Sequence, residues 1–161
     1  MNDIFSVVSN YGVFIIFILI FLENLNTPGL AAGILLGGVG VIAKKGDINI
    51  IIILIICLIA ALLANIILYL IGKYAGSKVI EYLVKKIPKF EKGIEKVEIL
   101  SRNAYGRIST RFIPGVRTLT PLIEGGIGIK FSDFIKTAIV GVFGFNLLII
   151  MSGYIAGGIL M

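Results

Sequence analysis

The chain has 161 residues, of which 58% are hydrophobic and only 15% are charged, whereas about 25% of the residues of an ordinary soluble domain are charged. This composition excludes a water-soluble protein and predicts one integral membrane domain over residues 1–161, built from α-helices. Histidine is absent, which removes histidine-based catalysis and the common zinc sites, so we expect no enzyme, no metal and no cofactor. The net charge of +6 favours anionic lipid headgroups over nucleic acid as partners of such a hydrophobic chain.

Four stretches of the chain contain no charged residue. They cover residues 4–22, 24–43, 48–72 and 137–161. The last two are the longest, and at 1.5 Å per residue each exceeds the hydrocarbon core of about 30 Å as a helix. We predict that these two cross the membrane as tilted helices.

The stretch at residues 24–43 contains Pro28 and five glycines. Proline and glycine weaken a continuous helix, so this stretch predicts a re-entrant segment that returns to the side from which it entered. Residues 108–129 have the same character, with Pro114, Pro121 and four glycines. We predict a second re-entrant segment there.

A basic linker, residues 73–104, separates these two halves. Apolar residues recur in it every three or four positions, a pattern that predicts amphipathic helices at the membrane interface. A solvated connector helix is the alternative that the pattern leaves open.

An internal repeat relates the ends of the two predicted spans. At a constant offset, the first half carries Asn65, Gly72 and Gly76, and the second half carries Asn146, Gly153 and Gly157. We predict that the asparagines bond neighbouring helices and that the glycines allow close helix packing.

The repeat has a consequence for topology. Thr27-Pro28 and Thr120-Pro121 also match at the start of each glycine-rich region. If each re-entrant segment returns to its own side and each span crosses once, the second repeat (105–161) is inverted relative to the first (1–72).

Arg111 and Arg117 flank Pro114 in the second re-entrant segment. A guanidinium carries five donors in a fork that matches phosphate or carboxylate, so the two arginines are candidates for binding an anionic headgroup. The alternative is that both are interfacial anchors that reach towards lipid phosphates. Pro28 and Pro114 enter the candidate site because they break the helices beside it.

Glu23 and Glu124 are the candidate carboxylates. Glu23 interrupts an otherwise uncharged region, and Glu124 lies between Pro121 and a pair of glycines. A carboxylate within the membrane must be paired, exposed to water or protonated. Each could neutralise an arginine in the empty site or carry a proton, and the sequence does not separate these roles.

These residues resemble the DedA family, also described as SNARE-associated or VTT-domain membrane proteins. The resemblance rests on the stretch RFIPGVRT at residues 111–118, followed by Pro121 and Gly125, on FLEN around Glu23, and on Tyr69, Gly72 and Gly76. It implies two inverted units, each a re-entrant segment and a span, that move a polyprenyl phosphate such as undecaprenyl phosphate, or a phospholipid, between leaflets. It also implies that Glu23, Arg111 and Arg117 are essential.

The sequence departs from this family pattern at three places. Leu30 follows Pro28-Gly29 where the family commonly has an acid, and Ala64-Asn65 stands where Gly-Asp is usual. Glu124 occupies a position where the family generally has a small residue. We therefore expect Glu124 to replace the missing acid, or proton coupling to be reduced.

The leading hypothesis is a lipid transporter in which the arginines hold a headgroup phosphate. Its expected partners are membrane lipids, and protons and a second copy of the chain are further possible partners. Its expected location is the inner membrane of a prokaryotic cell. The alternatives are an exchanger of protons, ions or small solutes, and a non-catalytic membrane assembly protein.

Overall fold

The computed structural model describes residues 2–25, 32–46, 48–86, 89–113 and 116–159. Within these ranges the chain forms seven α-helices and no strand. The helices are α1 (Asn2–Asn24), α2 (Ala32–Lys45), α3 (Ile50–Lys86), α4 (Lys89–Leu100), α5 (Ala104–Thr110), α6 (Thr120–Gly126) and α7 (Phe131–Ile159). The all-α fold class is confirmed for this part of the chain.

Two of these helices are long and apolar enough to cross a membrane. They are residues Ile50–Gly76 of α3, with a mean hydropathy of 3.3, and Phe131–Ile159 of α7, with a mean hydropathy of 2.1. One side of α3 exposes Ile51, Ile55 and Ile59. Such a row of exposed isoleucines is unfavourable in water and is expected on a surface that faces lipid.

Both long helices extend beyond the predicted spans. α3 continues past Gly72 to Lys86, so the predicted linker begins inside a helix. Lysine, glutamate and leucine all have a high helix propensity, so the change from apolar to charged residues does not end the helix. α7 begins at Phe131, six residues before the predicted span, and Asp133 in its first turn interacts favourably with the helix dipole.

The chain divides into two compact units, Met1–Ala61 with Asn146–Met161, and Leu62–Phe145. Each unit therefore takes residues from both predicted repeats. The helices α3 and α7 contribute to both units.

In the first unit, α1 packs against α2, and α2 packs against the end of α7 through glycines. A Cβ atom at Gly153 would overlap the carbonyl oxygen of Gly37, and one at Gly40 would overlap that of Ile150. The two helices are therefore in direct backbone contact, which a larger side chain at either glycine would prevent.

In the second unit, α3 and α6 make contacts of the same kind. A Cβ atom at Gly72 would overlap the carbonyl oxygen of Leu122, and one at Gly125 would overlap that of Tyr69. One at Gly76 would lie 2.8 Å from the Cα atom of Gly126. Close backbone approach again depends on glycine.

The glycine contacts of the two units correspond in sequence. Gly72 and Gly153 occupy equivalent positions of the repeat. Gly72 contacts Leu122 and Gly153 contacts Gly37, so Leu122 and Gly37 are equivalent by their contacts. The same register pairs Gly125 with Gly40, and it does not bring Thr120-Pro121 into line with Thr27-Pro28. The predicted match of Thr27-Pro28 with Thr120-Pro121 stays a prediction, because Thr27 and Pro28 lie outside the described residues. The inversion of the repeats stays a prediction.

The linker helix α4 uses part of its apolar face within the second unit. Ile94 and Val97 are buried in a cluster with Leu119 and Ile123. These two linker residues therefore pack on α6 and the turn before it, and they are not available to the membrane interface. The predicted interfacial face is corrected at these positions, while Ile99 remains exposed.

Candidate functional site

Arg111 is the centre of a buried polar cluster in the second unit. Its side chain is 2% exposed. The Nη1 atom donates to Oδ1 of Asn65 at 2.5 Å, and Nη2 donates to Oε2 of Glu124 at 2.9 Å. The arginine thus joins the middle of α3 to the short helix α6 by two charge-assisted bonds.

The local fold places Arg111 at the end of α5. Asn103 caps the start of this helix by accepting a hydrogen bond from the Gly106 backbone N–H at 2.7 Å. The helix ends after Thr110, so Arg111 lies in the turn that follows. A Cβ atom at Gly141 of α7 would lie 2.6 Å from Cγ of Arg111, so this glycine leaves the space through which the arginine side chain passes.

One aromatic ring lies close to each of the two arginines that the sequence predicted as site residues. The Arg111 guanidinium lies 5.5 Å from the ring centre of Phe134, and the Arg117 guanidinium lies 4.3 Å from that of Phe145. These separations allow cation–π attraction. Arg117 is half-buried, and its charge acts on Arg111.

Glu124 is completely buried on α6. Its Oε2 atom pairs with Arg111, while its Oε1 atom lies 3.5 Å from the Ser101 hydroxyl, which donates a long hydrogen bond. Removing one partner of a buried ion pair typically destabilises a protein by about 3–5 kcal/mol, because the remaining charge is left without compensation. The carboxylate is thus held tightly on one side and loosely on the other.

Arg107 adds a second guanidinium to the cluster. Its Nη1 atom donates to the Ser101 carbonyl at 3.0 Å, and its charge acts on Glu124. The Nε atoms of Arg107 and Arg111 are buried and have no hydrogen-bond partner among the described residues. Two guanidinium groups around one carboxylate leave an excess of positive charge, which is a favourable environment for an anion.

Sequence reasoning did not identify Arg107 or Ser101 as site residues. The available signal was the spacing of Arg107 and Arg111, since residues four apart share one face of a helix. Asn65 was predicted to bond a neighbouring helix, and its bond to Arg111 instead places it in the arginine site.

The first unit contains the other candidate carboxylate. Glu23 is 2% exposed, and its Oε2 atom accepts a hydrogen bond of 2.8 Å from Nδ2 of Asn24. The same Nδ2 atom donates to the Ile20 carbonyl at 2.8 Å. Asn24 therefore fixes the Glu23 side chain at the end of α1.

The remaining predicted site residues divide into two groups. Pro28 and Pro114 lie outside the described residues. Asn146 is buried in the first unit, and its Nδ2 atom has no partner within the ranges that the structure describes. The structure therefore brings together Arg111, Glu124 and Asn65, with Arg117 nearby in the same unit.

Comparison with known proteins adds sequence relationships to this geometry. Residues 27–155 match the VTT domain as a protein family. The chain is 30% identical over 173 residues to Protein DedA of Escherichia coli K12, an alignment that covers 97% of this chain and 75% of that protein. It is 27% identical over 159 residues to the uncharacterized membrane protein YbfM of Bacillus subtilis, with 98% of both chains covered. No solved structure matches the chain.

Proposed function

We propose that this chain, which belongs to the VTT-domain family together with DedA, moves an anionic lipid between the two leaflets of a membrane. The family inferred from the sequence is confirmed, and the chain is a membrane protein of that family. The lipid class that we propose is one with a phosphate headgroup, either a polyprenyl phosphate or a phospholipid.

The buried position of Arg111 is the observation that carries this proposal. An arginine within a membrane-embedded protein is expensive to bury and is generally retained for a function. Here the guanidinium bonds to Asn65 of α3 and to Glu124 of α6, and the charge of Arg117 acts on it. Such a cluster suits a phosphate, since guanidinium donors match its oxygens.

The apolar surfaces support a lipid in preference to a soluble anion. α3 and α7 are of membrane length, and the isoleucines exposed on α3 face the lipid in this proposal. The hydrocarbon tail would remain in the bilayer while the headgroup occupies the arginine cluster. Transport of this kind makes and breaks no covalent bond, so the protein acts as a carrier and not as an enzyme.

The corresponding glycine contacts of the two units support the further proposal of an inverted repeat. Broken segments and spans arranged as inverted repeats are typical of carriers with alternating access. We place the chain as a multi-pass protein in the inner membrane of a prokaryotic cell. Glu23 and Glu124 are the carboxylates that would balance the arginine charge or carry a proton.

Reconstitution into liposomes tests the proposal. A fluorescent polyprenyl phosphate and a fluorescent phospholipid are placed in both leaflets, and a membrane-impermeant quencher is added outside. The quenching of the lipids that began in the inner leaflet, which occurs only after they reach the outer leaflet, is followed over time. We expect transport by the unmodified protein, loss of transport with Arg111→Ala, and no change with Arg102→Ala, whose side chain is exposed. Proton flux without lipid movement would instead favour the alternative of an ion exchanger. If the Arg111→Ala variant fully replaced the unmodified protein in cells, the alternative of a non-catalytic assembly protein would be favoured.

A further inference from the structure

Each terminal nitrogen of the Arg111 guanidinium donates one hydrogen bond within the protein. Asn65 accepts from Nη1 and Glu124 accepts from Nη2, and the side chain is almost completely buried. The remaining donors, Nε among them, lie inside the same buried cluster, so a phosphate that reaches this guanidinium needs the space held by Asn65 or Glu124 and takes the place of one of them. Asn65 is neutral, whereas Glu124 carries the same sign of charge as the phosphate and would repel it in a buried site. Glu124 is thus the partner that an anion displaces.

A second position for the displaced carboxylate lies beside the first. The Ser101 hydroxyl is already 3.5 Å from Oε1 of Glu124. Arg107 is fixed to the Ser101 carbonyl at 3.0 Å, its charge acts on Glu124, and its buried Nε atom has no partner in the described part of the chain. A cation and a hydroxyl are therefore available to the carboxylate when it leaves Arg111.

We infer that Glu124 is a displaceable counter-ion that competes with the anionic headgroup for Arg111 and moves towards Arg107 when the headgroup binds. This inference rests on the proposed function, because it takes the phosphate group as the ligand of Arg111. Glu124 keeps the guanidinium neutralised while the site is empty. It also weakens headgroup binding, which allows release on the opposite side of the membrane.

Binding of dodecyl phosphate to the purified protein in dodecyl maltoside tests the competition, with titration calorimetry as the readout. Glu124→Gln removes the competing charge and keeps the side-chain shape, so we expect the dissociation constant to fall by about tenfold or more. Glu95→Gln is the matched control, because it removes the same charge from an exposed position on α4, and it should leave binding unchanged. Equal or weaker binding by Glu124→Gln would overturn the inference.

A double-mutant cycle with Arg107 tests the second position. Arg107→Gln removes the cation that receives the displaced carboxylate, so we expect it to weaken dodecyl phosphate binding in the unmodified protein. In the Glu124→Gln background no carboxylate needs a new position, and the same change should have little effect. An equal loss in both backgrounds would show that Arg107 binds the anion directly, which contradicts the switch.

Two further arms separate the possible failures. If the unmodified protein and Glu124→Gln both fail to bind dodecyl phosphate, the proposed function fails with the inference, whereas binding by the unmodified protein alone defeats only the inference. Inorganic phosphate is titrated in parallel, and an affinity equal to that of dodecyl phosphate would overturn the assignment to a lipid. If circular dichroism shows that Glu124→Gln does not fold, Glu124→Asp is tested in its place. Its shorter carboxylate should bind Arg111 less well, so dodecyl phosphate should bind more tightly. Unchanged or weaker binding would overturn the inference.

Discussion

Removing Glu124 and removing Arg111 should have unequal effects on stability. Glu124→Ala leaves the buried Arg111 guanidinium, and the half-buried Arg107 side chain, without this carboxylate, so we expect the free energy of unfolding to fall by about 3–5 kcal/mol. Arg111→Ala leaves Glu124 beside Ser101 and Arg107. The remaining cation compensates part of the buried charge, so the expected loss is smaller, about 2–3 kcal/mol.

The double variant Arg111→Ala with Glu124→Ala removes both charges of the ion pair. Its loss of stability should be less than the sum of the two single losses by at least about 1 kcal/mol, since neither partner is left to bury an unpaired charge. Unfolding in mixed micelles of dodecyl maltoside and sodium dodecyl sulfate, followed by circular dichroism, measures all three variants. Additive losses, or a larger loss for Arg111→Ala than for Glu124→Ala, would refute this account of the cluster.

Three further predictions follow from individual contacts. Gly141→Ala places a methyl group 2.6 Å from Cγ of Arg111, so lipid transport in liposomes should fall at least about tenfold. The control Gly93→Ala, whose methyl group meets nothing within 4 Å, should leave transport unchanged. Asn65→Asp places a carboxylate on the guanidinium from α3 and should restore at least about 1 kcal/mol of the stability lost in Glu124→Gln; no recovery in micelle unfolding would contradict that placement. Gly72→Ala forces the α3 and α6 backbones apart and should lower the free energy of unfolding by about 1–3 kcal/mol, and unchanged unfolding would show that these backbones are not in contact.

The membrane helices could be predicted because charge-free length is a local property of the sequence. Residues 48–72 and 137–161 lie largely within α3 and α7. Their boundaries could not be predicted in the same way, since α3 continues as a helix through charged residues to Lys86. Hydropathy reports where a segment can meet lipid, and helix propensity does not change at that point.

The individual site residues were easier to predict than their partners. Arg111 and Glu124 were detectable because a charge is conspicuous in an apolar segment. Asn65 is 46 positions from Arg111 in the sequence, and no local pattern indicates that the two meet. Arg107 is one of many basic residues in and near the linker, and only the tertiary structure shows that it bonds to Ser101 and that its charge acts on Glu124.

The repeat shows the same division between local and tertiary information. The equivalence of Gly72 with Gly153 follows from the sequence alone, because both lie in matching apolar stretches. The partners of these glycines, Leu122 and Gly37, are set by which backbones approach each other. A proline breaks a helix without fixing what the helix packs against, so the matching prolines do not predict these contacts.

Lipid translocation by Arg111→Ala is the measurement that tests the central claim most directly. Unmodified protein and the Arg111→Ala and Arg102→Ala variants are reconstituted at equal density, and the quenching of a fluorescent polyprenyl phosphate and a fluorescent phospholipid is compared with that in empty liposomes. The account predicts that the unmodified protein and Arg102→Ala accelerate translocation of at least one lipid and that Arg111→Ala does not. Equal rates for Arg111→Ala and the unmodified protein, or no acceleration of either lipid by the unmodified protein, would contradict it.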